Sequence, residues 1–395
     1  MTMLPLNGML VVSVEQAVSA PFATRQLADL GARVIKVERP DGGDFARGYD
    51  RSVRGLASHF VWLNRSKESV AVDLKSGQGR QVVERLVATA DVFVQNLAPG
   101  AAARLGLDAP TLIERHPELV AVDLSGYGAV GPYRDKRAYD LLVQSEAGLA
   151  SVTGTPEDPV KAGIPVADIA AGMYVLTGVL SALLRRERGG GGAALPVTMF
   201  DSVVEWMGHQ VQHALHTGEQ LPRMGLSHAA IAPYDRYPTA DGAQVLLGIQ
   251  NDREWRRLAA DLLGRPELGT DPAYATNVAR TANRAAVDAL VAEATARLSA
   301  DELIKRLDAA RIASARLNEV PEVVAHPQLA ARDRWRDVDS PVGPLRTLLP
   351  PVVFAADPPR MAAVPALGEH TDAVLTELGY GATEIARLRA AGAVG

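Results

Sequence analysis

Short β-branched runs that alternate with helical stretches through the first third of the chain are the strongest constraint on its fold. Leu10 to Val14 reads as a strand, Pro21 to Leu30 as a helix stopped by Gly31, and Val34 to Val37 as a second strand ending at Glu38. Val70 to Leu74, Val92 to Val94 and Leu119 to Leu124 follow as strands, with a helix over Gly77 to Ala88. This alternation predicts an α/β fold with a parallel sheet and helical crossovers, in which ligands gather at the carboxyl ends of the strands.

Beyond Ala162 the pattern turns helical to about Gln212, broken by a Gly189 to Gly192 turn and a β-like Leu195 to Met199. Within Ala162 to Leu184 the only charged residue is Asp168. An unpaired carboxylate in apolar surroundings costs several kcal/mol, so Asp168 is either a neutralised core group or a reactive one. The run is about long enough to cross a bilayer, but Pro165, Asp168, Gly172, Thr177 and Gly178 interrupt it, and no membrane partner is expected. A hairpin-like Ala232 to Ile249 and Arg- and Ala-rich helices between Asp252 and Ala310 mark a second, smaller domain. Arg334 to Phe354 is β-like, and Gly368 to Ala391 holds two short helices expected to return to the first domain.

The 395 residues are 47% hydrophobic and 22% charged, ordinary for a globular chain with a large core. A net charge of −5 argues against a nucleic-acid partner. The chain has no cysteine and opens without a basic region followed by a long apolar one, so a reducing, cytoplasmic location with no secretory leader is expected. Glu38 at the end of the second strand suggests a dinucleotide site, but the turn after the first strand, Glu15 to Pro21, has no glycine fingerprint, which disfavours NAD. Cations recur near strand ends instead, at Lys36, Arg39, Arg65, Lys67, Lys75, Arg104, Arg134, Lys136 and Arg137, and favour an anionic, nucleotide-like ligand.

The segments APFATRQLADLGARVIKVERPDGGDFAR, FVWLNRSKESVAVDLKS, ADVFVQNLAPGAAARLGL, LSGYGAVGPY, HPQLAARDRW and LGEHTDAVLTELGY resemble the family III CoA-transferases, nearly end to end. The resemblance implies an interlocked homodimer. Each chain would have a large Rossmann-like, CoA-binding domain, built from 1–215 and 330–395, and a small α+β domain over 223–325. It also implies a nucleophilic aspartate at Asp168 in PVADIAAGMY, and CoA contacts at Arg39, Lys75, Asn96, Leu97 and Arg104, with Arg137 near the CoA phosphates. Acyl-CoA would be a substrate, with no tightly bound cofactor and no metal.

The implied chemistry passes CoA from a thioester to a free acid through aspartyl anhydride and aspartyl-CoA intermediates. Backbone amides near Gly172 or in the Gly126 to Gly128 loop are candidates for holding the oxyanions. The α-methylacyl-CoA racemases share the fold, but Tyr139 stands where their histidine would be, and tyrosine is a poor base at neutral pH. Asp140 beside it is a candidate second carboxylate. The stretches MGLSHAAIAPYDRY, GIQNDREW and HPQLAARDRW look more like the subgroup acting on itaconate, mesaconate, citramalate or succinate, with Arg47, Arg65 and His228 as candidate receptors for the acid's free carboxylate. A non-catalytic CoA-binding protein is the remaining alternative.

Overall fold

The computed structural model describes residues 4–395. The chain forms two compact units, one from Met1–Leu149, Lys161–Gln212 and Ala331–Gly395, the other from Ala150–Val160 and His213–Ala330.

The first unit is built on strands β1 (Leu10–Val14), β2 (Arg33–Glu38), β3 (Lys67–Ala71), β4 (Val92–Gln95), β5 (Val120–Ser125) and β6 (Ala193–Thr198). They pair in the order β3-β2-β1-β4-β5-β6, every pair parallel. The order reverses between β1 and β4, the switch point where sheets of this kind open a crevice beyond their carboxyl ends. The crossovers are helical: α1 (Ser19–Asp29), α2 (Ser58–Asn64), α3 (Gly77–Val87), then α4 (Ala101–Leu105) and α5 (Ala109–Arg115). Between β5 and β6 run α6 (Asp140–Glu146), then α7 (Leu149–Val152), which falls almost wholly in the second unit, and α8 (Val166–Arg185), and α9 (Met199–Trp206) follows β6.

Period-two alternation sends the two faces of the sheet into different environments. Val12, Val14, Ile35, Val37, Val70 and Phe93 pack against Val82, Val83 and Leu86 of α3, Leu112 of α5, and Val374 and Leu388 in the helices Thr371–Glu377 and Ala382–Ala390. The intervening positions Ser13, Lys36, Lys67 and Ser69 are equally buried on the opposite face. There α1 and α2 cover them, with the Lys67 ammonium reaching Pro21 O (3.0 Å) and Asn64 Oδ1 (3.1 Å).

The expected strand Val70 to Leu74 lies at Lys67–Ala71 instead. Pairing with β2 runs Val34↔Lys67 through Glu38↔Ala71, and partners make the two charged residues at its start acceptable: Lys67 pairs with Glu15 at 2.7 Å and Glu68 with Arg33 at 2.7 Å. The outer edge of β3 is closed by chain from the far end of the sequence. Ser66 N–H donates to Ala363 O (2.8 Å), His370 N–H to Ser69 O (2.9 Å), Ala71 N–H to the Thr371 hydroxyl (3.0 Å) and Gly395 N–H to Ala71 O (3.0 Å).

The apolar run around Asp168 is α8, long and apolar enough to cross a membrane by composition. Its buried residues Ala167, Ala171, Val175, Val179 and Ala182 recur every three or four positions and form one packed stripe.

The second unit has a three-stranded antiparallel sheet, β7 (Tyr234–Pro238), β8 (Gln244–Gly248) and β9 (Ala313–Arg316), backed by a core of Trp255, Leu258, Val287, Val291, Leu303 and Leu307. Trp255 is seated by its indole N–H to Leu268 O at 3.0 Å.

Thr371→Val keeps the shape of a fully buried side chain but leaves Ala71 N–H without an acceptor. Urea denaturation should show a loss of about 1–3 kcal/mol, the usual cost of a buried orphan donor. An unchanged midpoint would mean that the edge closure contributes nothing.

Candidate active site

Asp168 lies in the first turn of α8, partly buried, where the N-terminus of α1 meets that of α8. Its Oδ1 accepts a hydrogen bond from the Ser19 hydroxyl, and the Ser19 backbone N–H lies close enough to favour the charged carboxylate. The partial positive charge of helix N-termini favours an anion there. Burial outweighs these donors, and with the nearby Asp140 charge it lifts the Asp168 pKa to about 6.

The two helices can meet this closely because residue 172 has no side chain. A Cβ on Gly172 would stand 2.7 Å from Ser19 O and 2.9 Å from the Phe22 ring. The expected role for the Gly172 amide fails, since in the middle of α8 that N–H is spent on the helical ladder. In the Gly126 to Gly128 loop, Gly128 N–H goes to Ser125 Oγ at 3.0 Å.

Asp140 opens α6, and its Oδ1 accepts the N–H groups of Ala167 (2.8 Å) and Asp168 (3.3 Å), while Oδ2 accepts from Gln144 (2.6 Å). The carboxylate therefore caps the helix that carries Asp168 and fixes its start. Tyr139 is 67% exposed and stands just before α6.

A second feature lies at the carboxyl ends of β1, β2 and β3. A pocket of about 120 Å³ is lined by Gln16, Arg39, Gly43, Asp73, Lys75 and Leu97, among others. Three of the expected CoA contacts, Arg39, Lys75 and Leu97, thus come together. Arg39 is set by its Nε–H bond to Gly43 O (2.9 Å) and lies over the Phe45 ring, its centroid 4.9 Å away. Asn96 is otherwise engaged: its Oδ1 accepts Gln16 N–H (2.8 Å) and its Nδ2 donates to Gln16 O (2.9 Å). Arg104 is exposed on α4, and Arg137 is exposed two residues before Tyr139.

Other expected cations are consumed internally. Lys36 and Lys67 are fully buried against Asp44 and Glu15. Burial pulls the Lys67 pKa down to about 7, with Lys36 repulsion adding to the effect and Glu15 and Asp44 opposing it. Lys36 is also penalised by burial, but Asp44, Glu15 and Glu38 together raise its pKa.

Two candidate carboxylate receptors are likewise corrected. Arg65 is buried with Asp29 (2.9 Å) at the opposite end of α1 from Ser19, and Arg47 is forked onto Glu38 (2.7 and 2.8 Å) with Phe60 beneath it. An arginine already satisfied by a buried carboxylate is no receptor for a substrate. His228 belongs to the other unit, where it is exposed and stacked on Tyr234.

Sequence reasoning missed three residues. Ser19 was readable as a helix start, since Pro21 two positions on is typical of a first turn. Tyr49 is near enough to the site that burial, Asp44, Asp168 and Tyr139 all push its phenol pKa upward. Asp44, in the DGGDF turn, left no sequence signal of its contacts.

Ionised Asp168 is disfavoured by the fold relative to the unfolded chain. The penalty is complete above pH about 6 and disappears below the ordinary carboxylate range. Asp168→Asn should therefore raise Tm at pH 8 and lose that advantage as the pH falls towards 4. A Tm difference that is flat with pH would show that Asp168 is not perturbed.

The family model for CoA-transferase family III matches residues 6–371. A succinate–glutarate CoA-transferase of Agrobacterium fabrum is 35% identical over 95% of this chain and 96% of its own length. A succinyl-CoA–D-citramalate CoA-transferase of Chloroflexus aurantiacus is 33% identical over 96% of this chain and 95% of its own. Among solved structures, a CAIB/BAIF family protein from Brucella suis superposes with a TM-score of 0.84 at 35% identity, covering 96% of this chain and 100% of that one.

Proposed function

The chain belongs to CoA-transferase family III and is a CoA-transferase, and from that premise we propose that it moves CoA between C4–C5 dicarboxylic acids with Asp168 as the covalent nucleophile. The observation that carries this reading is the position of Asp168, held by Ser19 where two helix N-termini meet and desolvated enough for its pKa to reach about 6. Such a carboxylate is ionised at neutral pH yet poorly hydrated, which suits attack on a thioester.

The sequence of steps balances without an outside reagent. Asp168 Oδ attacks the thioester carbonyl, the C–S bond breaks, and a mixed anhydride and CoA thiolate form. The thiolate attacks the aspartyl carbonyl, releasing the donor acid and leaving an aspartyl-CoA thioester. The acceptor carboxylate attacks that thioester, expelling the thiolate again. Attack of the thiolate on the acceptor carbonyl then gives the new acyl-CoA and restores Asp168. The Ser19 hydroxyl donates to the reacting carboxyl and, with the Ser19 N–H close by, would stabilise charge on its oxygen in each step. Asp140 holds the helix start, and Arg39, Lys75 and Leu97 would seat the nucleotide end of CoA.

Relatives of 33–35% identity named for succinate, glutarate and citramalate support the dicarboxylate class. A second copy of the chain is the proposed partner, in keeping with the family to which the chain belongs. Light scattering should give a dimer mass.

Asp168→Ala should abolish transfer, and hydroxylamine with acyl-CoA should mark Asp168 in the unmodified enzyme. Wild-type kcat/KM should fall on the acid side of about pH 6 as Asp168 protonates. Succinyl-CoA offered to a panel of mono- and dicarboxylic acids should yield dicarboxylyl-CoA products by mass spectrometry. Products from monocarboxylates alone would refute the dicarboxylate class. Deuterium uptake at the α-carbon without any acceptor acid would favour racemisation instead.

A further inference from the structure

Beneath the turn that joins β1 to α1 lies a buried charge network that none of these steps uses. Glu15 bonds Lys67 (2.7 Å), Lys36 (3.5 Å) and the Thr24 hydroxyl (2.6 Å), and Lys36 bonds Asp44 Oδ2 at 2.5 Å. The other carboxylate oxygen of Asp44 accepts two backbone N–H groups, from Ala46 and from Ala17, both at 2.9 Å. Ala46 belongs to the short helix that Asp44 caps. Ala17 does not, and lies 27 residues away in sequence.

Ala17 is at φ 63°, left-handed backbone that costs a residue with a Cβ roughly 1–2 kcal/mol. Something must hold it there. On one flank Asn96 pairs with both backbone groups of Gln16, and on the other Asp44 takes Ala17 N–H. Two residues further on, Ser19 presents its hydroxyl to Asp168. We propose that Asp44 is a positioning residue for the transfer reaction, holding Ala17 left-handed so that the start of α1 aims Ser19 at Asp168.

The surroundings explain why an aspartate serves here. Lys36 faces Asp44 from β2, where Glu38 accepts the Asp44 N–H, Lys67 faces it from β3, and Tyr49 from the residue after the short helix; Glu15, just past β1, shares Lys36 and Lys67 with it. Lys36 holds Asp44 Oδ2 in place, which leaves Oδ1 at a fixed point for Ala17. The Asp44 backbone is fixed too, by its N–H to Glu38 (2.9 Å) and by Gly43, where a Cβ would meet Glu38 at 2.7 Å.

The inference rests on Asp168 being the nucleophile, and its test is separable from that reading. The Asp168 carboxylate faces Ser19 on α1, Asp140 on α6 and the Tyr49 phenol. If the turn relaxes, Ser19 no longer supports the ionised form, so the acid limb of the kcat profile should move to higher pH. Asp44→Ala should therefore lower kcat with succinyl-CoA and glutarate about ten- to a hundred-fold, the usual effect of an ångström-scale displacement. Asp44 itself lines the pocket of Arg39 and Lys75, so KM for succinyl-CoA is free to change in this variant, and the shift of the acid limb carries the test. Asp44→Asn keeps an acceptor oxygen for Ala17 N–H but turns its amide N–H group onto the buried Lys36 ammonium, so it should recover part of the rate lost in Asp44→Ala.

Ala17→Val opposes the same backbone conformation without touching any buried charge, because a β-branched residue resists left-handed φ. It should reproduce the upward shift of the acid limb and the loss of kcat in protein that circular dichroism shows to be folded. If Asp44→Ala does not fold, Ala17→Val decides alone. A folded Ala17→Val whose acid limb stays near pH 6 would overturn the proposal while leaving Asp168 as nucleophile. Transfer that survives in Asp168→Ala would remove the nucleophile reading whatever the Asp44 variants do.

Discussion

The close approach of α1 to α8 at Gly172 is the contact on which the geometry of the site depends. Ser19 O and the Phe22 ring occupy the volume that any side chain at 172 would need. The hydrogen bond from the Ser19 hydroxyl to Asp168 spans the same gap, one turn of α8 further back. Hydrogen bonds weaken steeply with distance and angle, so a small separation of the helices would remove this one well before it unfolded either helix. The packing that shields Asp168 from water is thus also the packing that brings its donor into reach.

Much of the architecture was legible from periodicity. The strands at β1, β2, β4 and β5 fall within a residue or so of their expected limits because apolar runs bounded by turns and helices admit few alternatives. β3 was misplaced for a definite reason. Lys67 and Glu68 look unlike strand residues until their partners are known, and those partners, Glu15 and Arg33, lie 52 and 35 residues away.

The same blindness to distant partners governed the site. Asp168 was legible because a lone charge in an apolar run is conspicuous without any neighbour. Lys36, Arg47, Arg65 and Lys67 looked like ligand cations because the carboxylates that neutralise them, Asp44, Glu38, Asp29 and Glu15, are scattered along the chain. Burying ion pairs contributes little net stability but penalises any arrangement that leaves one member alone, so such a network selects a single geometry. Arg39, Lys75 and Leu97 came together where strand ends converge, a placement that follows from parallel topology and needs no side-chain detail.

The closure of β3 by residues 363–395 has a consequence for how the chain is made. The contact between Ser69 and His370 spans 301 residues. At about 5–20 residues per second, a ribosome needs roughly 15–60 s to supply the covering segment after β3 emerges. During that interval the nascent sheet has a bare edge on its β3 side, the kind of edge that recruits strands from other chains. Late arrival of the cover makes the period of synthesis, more than the finished fold, the time when this protein is exposed to aggregation and to chaperones.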